Sequence, residues 1–286
     1  MNKKVSAVIT THNRIELLKR AIDSVLNQTY LNIECIVVSD NSSDGTNEYC
    51  KTLPIRFISI PKEESHGGNY ARNLGIMAAK GEYVAFLDDD DYWLQTKIEK
   101  QVALIEEKGC ELVHCGRVNE VVTPTGTKMI ERLPDKSKQG DLSKGILMNV
   151  CTTTTCMLVK RQALFEIGLF DEALKFWQEY DLTIRLAQRA PFYFVNECLS
   201  VYRIDKSDPD RLTNKYTEWL VAVDYVHNKY KELYKSLNRV QLYKSRMLVW
   251  RDAAVRCKAA GFKFQYYKYG ISYTLSHYLL KLLNLY

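Results

Sequence analysis

The sequence predicts an α/β fold, a mostly parallel central sheet flanked by helices, followed by a helical C-terminal extension. Two observations carry this. In the first hundred residues short β-rich runs alternate with amphipathic stretches at helical spacing, the order of parallel strands joined by helical crossovers. Beyond about residue 206 the β-rich runs cease and helical periodicity continues.

Taken in order, "VSAVIT" from Val5 reads as a first strand, "RIELLKRAIDSVLNQ" as a helix, "IECIVVSD" as a second strand and "GTNEYCKTL" as a helix after a Ser/Asp/Gly loop. "IRFISI", "NYARNLGIMAAK" and "EYVAFLD" continue the alternation as strand, helix and strand. "DYWLQTKIEKQVALIEEKG" reads as a helix starting directly behind the acidic run and stopping at Gly109. "ELVHCGRV" predicts a strand, and "TPTGTKMIERLPDKSKQGD" a hairpin or mobile loop. A strand and helix within "TTTTCMLVKRQALFEIGLFDEAL", a helix in "FWQEYDLTIRLAQR" and a strand in "APFYFVNECLSVYRI" complete the sheet region, and helices are expected from Arg211 onward.

The 286 residues, 46% apolar and 26% charged, suffice for a large core. The apolar run near the start is too short for a secretory signal, and no stretch is long enough to span a membrane. Eight cysteines without a CxxC pair fit reduced thiols in a cytoplasm. The net charge of +6 is spread along the chain without a nucleic-acid motif, so no nucleic-acid partner is expected. Where charge does gather, beside the many C-terminal tyrosines, a membrane surface is the natural counterpart.

In a sheet of this kind ligands bind outside the carboxyl ends of the strands. Three strands end in suitable polar residues: Thr10, Thr11, His12 and Asn13; Asp40, Asn41 and Ser42; and the run Asp88 to Asp91. Four adjacent aspartates raise one another's pKa unless a cation sits among them, which suits Mg²⁺ or Mn²⁺. Alternation along an extended segment turns Asp88 and Asp90 to one site. The plain alternative is an acidic loop with Asp91 capping the next helix. The run lacks the pattern of a helical DDxxD diphosphate site, of DxDxT, or of an EF-hand loop.

"VSAVITTHNR", "VVSDNSSDGT", "GGNYARNLGIMAAKGEYVAFLDDDDYW", and "IGLFDEAL" followed by "QEYDLTIRL" together resemble the ordered landmarks of the family 2 glycosyltransferases, inverting enzymes with the nucleotide-diphospho-sugar (GT-A) fold. The resemblance covers roughly residues 4–205. It implies a catalytic domain over 1–205, with a nucleotide-sugar half to about 110 and an acceptor half from about 111, and a separate helical region over 206–286. It implies that Thr10, His12, Asn13, Asp40 and Asn41 line the nucleotide, with Asp40 accepting a hydrogen bond from a uracil-type N–H. Arg72 faces the nucleotide-sugar, Asp88 the ribose and Asp90 a Mn²⁺ or Mg²⁺ ion, with Asp88 as a further ligand of that ion, and Asp89 is a contact of the donor. The family's general base comes from an "ED" pair that here reads "QEYDL". Glu179 is the expected base and Asp181 the alternative, which instead caps the helix or holds Arg185. Trp177 is an acceptor-stacking wall or a core residue. Arg203 and Arg211 are candidates to close over the diphosphate.

The implied activity is transfer of a sugar from a nucleotide-diphospho-sugar, UDP-linked, to a glycan or polyprenyl-diphosphate-linked glycan in surface polysaccharide synthesis. Because Gln178 replaces the first acid of the pair, a catalytically impaired nucleotide-sugar binder is the alternative. A sugar-phosphate nucleotidyltransferase on a related fold would want a Gly-rich basic loop where this chain has "THNRIE". The segment 262–286, rich in Lys, Tyr and Leu, suits either a helix in a lipid interface or one packed on protein. A cytoplasmic protein, peripheral at the inner membrane face, is the corresponding expectation.

Overall fold

The structure, a computed structural model, describes residues 3–208, 211–283 and 285. Pro209 and Asp210 of the "DKSDPD" stretch, and Asn284 and Tyr286 of the C-terminal segment, lie outside the described residues. The chain divides into two units. Met1–Leu142 with Cys151–Ser207 forms the first, and Ser143–Val150 with Asp208–Tyr286 the second.

The first unit runs β1 (Val5–Thr11), α1 (Ile15–Leu26), β2 (Ile33–Asp40), α2 (Thr46–Lys51), β3 (Arg56–Ile60), α3 (Gly68–Ala78), β4 (Tyr83–Asp88), β5 (Tyr92–Trp93) and α4 (Lys97–Lys108). It continues through β6 (Leu112–Thr123), β7 (Gly126–Arg132), β8 (Leu158–Lys160), α5 (Arg161–Glu166), α6 (Gln178–Ala187) and β9 (Phe192–Asp205). Sheet order is β3-β2-β1-β4-β8-β6-β9-β5, with β7 paired to β6. The strands β3, β2, β1 and β4 are parallel, β8 is antiparallel to both its neighbours, and β6 and β9 are parallel. The sheet is therefore mixed, with its parallel half at the N-terminal end.

Nearly continuous burial of β1 and β4 explains their unbroken apolar sequence, since both faces of a parallel sheet are covered. From one side α1 packs Leu18, Ala21, Ile22 and Val25, one face at helical spacing. The helix α3 lies so close to the sheet that a Cβ added at Gly75 would overlap Val8 Cγ1. This close approach brings Arg72, one turn earlier, to the end of β4.

The helix expected directly behind the acidic run starts later. Tyr92 and Trp93 form an edge strand paired to Val201 and Ser200, and α4 begins at Lys97 after the N-cap residue Thr96. Tertiary packing overrides local pattern here, because the Trp93 indole is buried and its N–H donates to the Thr155 carbonyl at 3.0 Å. Asp91 therefore does not cap the helix. Lys97 is fully buried, donates to Gln101 Oε1 at 2.7 Å and sits 4.1 Å from the Trp93 ring centroid. The expected hairpin is present as β6–β7.

The second unit contains α7 (Tyr216–Lys229), α8 (Lys231–Lys235), α9 (Arg239–Ala259) and α10 (Lys263–Leu282). An Asn238–Gln241 capping box opens α9, and Tyr243 on α9 meets Ser276 on α10 through their hydroxyls. Among the described residues no helix is long and apolar enough to cross a membrane.

Two outcomes test this packing. Gly75→Ala gains ~1 kcal/mol of helix propensity but overpacks Val8 at a cost of ~1–3 kcal/mol, so its denaturation midpoint is expected to fall. An unchanged midpoint would show that α3 can lift from the sheet. Burial lowers the Lys97 pKa from 10.5 to about 8. Between those values the unfolded chain binds more protons at this site, so its contribution to stability rises with pH. The melting temperature of wild type relative to Lys97→Met should accordingly increase from pH 8 to pH 10.5. A constant difference would refute the lowering of the Lys97 pKa by burial.

Candidate active site

The parallel register sets the ends of β1, β2 and β4 side by side, with Thr10 opposite both Val38 and Asp88. Two loops leave these ends through Asn13 and Asn41, each at φ 53°, a left-handed conformation that short polar side chains tolerate. They are sewn together. His12 Nδ1–H donates to the Asp40 carbonyl, Asn13 N–H to Ser42 Oγ at 3.1 Å, and Ser43 N–H to Asn13 Oδ1 at 2.7 Å. Asn41 N–H donates to the Ile60 carbonyl at 2.9 Å. Asp40 is 9% exposed, and its Oδ1 has no hydrogen-bond partner within the protein. A buried carboxylate oxygen left unpaired costs energy unless a ligand donor completes it.

The acidic run at the end of β4 is divided by its partners. Asp88 Oδ1 pairs with Arg72 Nη2 at 2.7 Å, and Asp90 Oδ2 with Arg14 Nη1 at 3.2 Å. Asp89 is buried, accepts from His12 N–H at 3.4 Å, and lies 3.5 Å from Arg14. Asp91 is wholly buried and accepts from the Arg203 backbone N–H at 2.9 Å, while its Oδ2 has no hydrogen-bond partner. Arg20 donates to the Asp90 carbonyl at 2.8 Å, lies over the Tyr92 ring, and shares Glu120 with Arg203.

These arginines do not neutralise the run. Burial, and then the charge of Asp90, push the Asp89 pKa up to about 7. Burial and the charge of Asp88 raise that of Asp90, and burial with the charges of Asp90 and Asp88 raises that of Asp91. The run is thus short of positive charge, which fits a hard divalent cation. Among the described residues no three His, Cys, Asp or Glu side chains converge as a ligand set. Mg²⁺ is commonly held by one or two carboxylates, with water and phosphate oxygens completing its shell. Asp88 and Asp90 remain about 30% exposed and are the accessible donors.

The third part of the site is held by one face of α3. Asn69 Nδ2 donates to the carbonyls of Asp171 and Leu174 at 2.8 and 2.7 Å. Asn73 exchanges hydrogen bonds with the Phe170 backbone, and Arg72 bonds Asn69 while lying over the Phe170 ring. The loop so clamped leads through Trp177, at φ 56°, into α6 and its first-turn Glu179, which is half-buried. Asp181 is sealed from solvent and held by Arg185 at 2.6 and 3.1 Å. Arg185 also binds the carbonyls of Ile167 and Leu169, both at 2.6 Å.

Two expectations change. Trp177 is 4% exposed and packs edge-on against Tyr180, so its ring belongs to the core and offers no open stacking wall. The Arg203 guanidinium is engaged by Glu120 and Asp205 from within β9, so it braces the sheet end and is not an arm closing from a loop. The neighbours of the candidate site that the sequence did not single out are Arg14, Arg20, Glu120, Asn69 and Asn73. A signal existed for the last two, as Asn69, Arg72 and Asn73 form a polar face on a helix that flanks a core sheet. None marked Arg20 or Glu120.

The glycosyl transferase family 2 profile matches residues 6–168. An uncharacterized glycosyltransferase of Rickettsia bellii is 32% identical over 79% of this chain and 32% of its own length. The Escherichia coli UDP-Glc:alpha-D-GlcNAc-diphosphoundecaprenol beta-1,3-glucosyltransferase WfaP is 41% identical over 36% of this chain and 41% of its own. The chain thus spans about a third of the first relative and two-fifths of the second. The crystal structure of S. aureus TarS in complex with UDP-GlcNAc superposes with a TM-score of 0.60 at 14% identity, covering 98% of this chain and 92% of that one. The sheet is that of the GT-A glycosyltransferases. With more than half its length matched by the family profile, the chain belongs to glycosyl transferase family 2.

Proposed function

We propose that the protein is an inverting glycosyltransferase that moves a sugar from a UDP-linked donor to a glycan or polyprenyl-diphosphate-linked glycan. The carrying observation is the unpartnered, buried oxygen of Asp40 beside the charge-short run ending β4. A pyrimidine N–H and a diphosphate-bound cation are the two groups that complete these neighbouring sites. The name of the E. coli relative WfaP supports a UDP-sugar donor and a diphosphate-linked acceptor, and the structurally similar S. aureus TarS was crystallised in complex with UDP-GlcNAc.

In this reading Thr10, His12, Asn13 and Asn41 enclose the base, and Asp40 accepts its N–H. Arg72 sets Asp88 against the ribose, and Asp89 anchors the loop of His12 beside the donor. A Mn²⁺ or Mg²⁺ ion held by Asp90, with Asp88, would supply positive charge where the departing diphosphate carries negative charge. Glu179 takes the proton of the acceptor hydroxyl as that oxygen bonds to the anomeric carbon, and the bond from this carbon to the diphosphate oxygen breaks on the opposite side. The electron pair leaves with the nucleotide diphosphate. Asp181, committed to Arg185, is assigned the support of the loop before α6 and not the base. Free cysteines throughout the described residues fit a cytoplasmic site, at the inner membrane face where a polyprenyl acceptor is presented through contact with 262–286.

Release of UDP from UDP-sugars, measured with and without Mn²⁺, tests the reading. Release is expected to vanish with chelator and to fall ~10²-fold or more in Asp90→Ala. Full metal-dependent release by that variant would overturn the site. Asp40→Asn should raise the KM for UDP-sugar by ~10-fold or more with kcat nearly intact, because one charge-assisted bond to the base is weakened. Glu179→Gln should bind donor normally and lose transfer to acceptor. Asn73→Ala is expected to lower the melting temperature and kcat together, since it frees the Phe170 backbone, at ~1–3 kcal/mol. A fall in stability alone would separate the clamp from the chemistry.

A further inference from the structure

The helix α10 turns two different faces outward and inward. Ser276 and Leu280 are buried, and on the same side the Tyr269 hydroxyl accepts from that of Tyr216 at 3.2 Å. On the opposite side Phe264, Tyr267, Ile271, Leu275, Tyr278 and Leu282 are each between 56% and 81% exposed. Their spacing averages 3.6 residues, so at ~100° per residue they stay within about a quarter of the circumference of a straight helix. A supercoiled seam between helices wants a mean spacing of ~3.5 instead.

The charge around this stripe has one sign. After Asp252 the chain contains no Asp or Glu, while Arg256, Lys258, Lys263, Lys268 and Lys281 are all cationic. On the helical wheel Lys268 falls on one border of the stripe and Lys263 and Lys281 on the other, and all three are exposed. Two such faces brought together would oppose like charges. An anionic bilayer surface complements both parts, the apolar side chains entering the acyl boundary and the bordering ammonium groups reaching the headgroups.

We infer that α10 is an in-plane docking helix for an anionic lipid surface, lying on the membrane through the stripe from Phe264 to Leu282. This deepens the proposed function by naming how a lipid-linked acceptor is met, yet it stands on α10 alone. The test is co-sedimentation of the full chain with phosphatidylcholine vesicles, plain or mixed with phosphatidylglycerol, at low and high salt. Binding is expected to the mixed vesicles and to weaken with salt. Ile271→Glu with Leu275→Glu should reduce it ~10-fold or more, with the circular dichroism spectrum unchanged. Lys263→Gln, Lys268→Gln and Lys281→Gln together should remove the preference for phosphatidylglycerol while keeping the fold. Absence of binding by wild type, or equal binding by the glutamate variant, overturns the inference. So does a wild-type dimer in light scattering that the glutamate variant dissolves while vesicles bind neither, since the stripe then covers a second copy. UDP release in solution should be the same in wild type and the glutamate variant, so failure of the transferase reading shows there and failure of docking shows in the vesicles.

Discussion

The ion pair between Arg72 and Asp88 is the contact on which the candidate site depends. It joins the carboxylate end of β4 to a helix that crosses the sheet at the distance Gly75 permits. The same helix face holds, through Asn69 and Asn73, the loop that delivers Glu179. A guanidinium can do this because its planar fork serves Asp88, the Asn69 amide oxygen and the Phe170 ring at once. Asp88 and Glu179 thus share one rigid support, the kind of fixed spacing that the proposed reaction would need to orient two reactants.

The price of that arrangement is a strained charge distribution at the end of β4. Arg14, just before α1, is split between Asp89 and Asp90; Arg20 on α1 divides its guanidinium between Glu120 and the Asp90 carbonyl, and that of Arg203 on β9 is held by Glu120 and Asp205. Asp91 is the extreme case, fully buried with one oxygen unpaired. Local rules of polar satisfaction are commonly broken at functional sites, where a ligand restores what the protein omits. The broken rules here, at Asp40 and along the run, lie at the ends of β2 and β4 on either side of β1, a span that suits one elongated ligand carrying both a hydrogen-bond donor and a bound cation.

The second unit follows a different logic. Its helices have buried faces of their own, but α10 keeps a full apolar stripe in solvent and an unbalanced positive border. Such a surface is costly in water and becomes favourable only against a partner that is apolar within and anionic at its rim.

Local patterning in the sequence determined the alternation of strands and helices, the placement of polar residues at three strand ends, and the family landmarks from Thr10 to Asp90. These are legible because strand and helix periods, turn residues and consecutive acids are written in neighbouring positions. Only the tertiary structure decided that Tyr92 and Trp93 extend a sheet, that Asp91 faces Arg203, and that Trp177 is core, whereas the pairing of Asp181 with Arg185, four residues on along one helix, was already readable. Each of those outcomes rests on a partner brought close by the fold, Arg203 more than a hundred residues from Asp91, or on packing around the side chain. Side chains of the same type at the same spacing would read alike in the sequence whether they met a substrate, a salt bridge or the core. Burial and partner geometry separate these roles, because both arise from pairings between distant segments that no local pattern records.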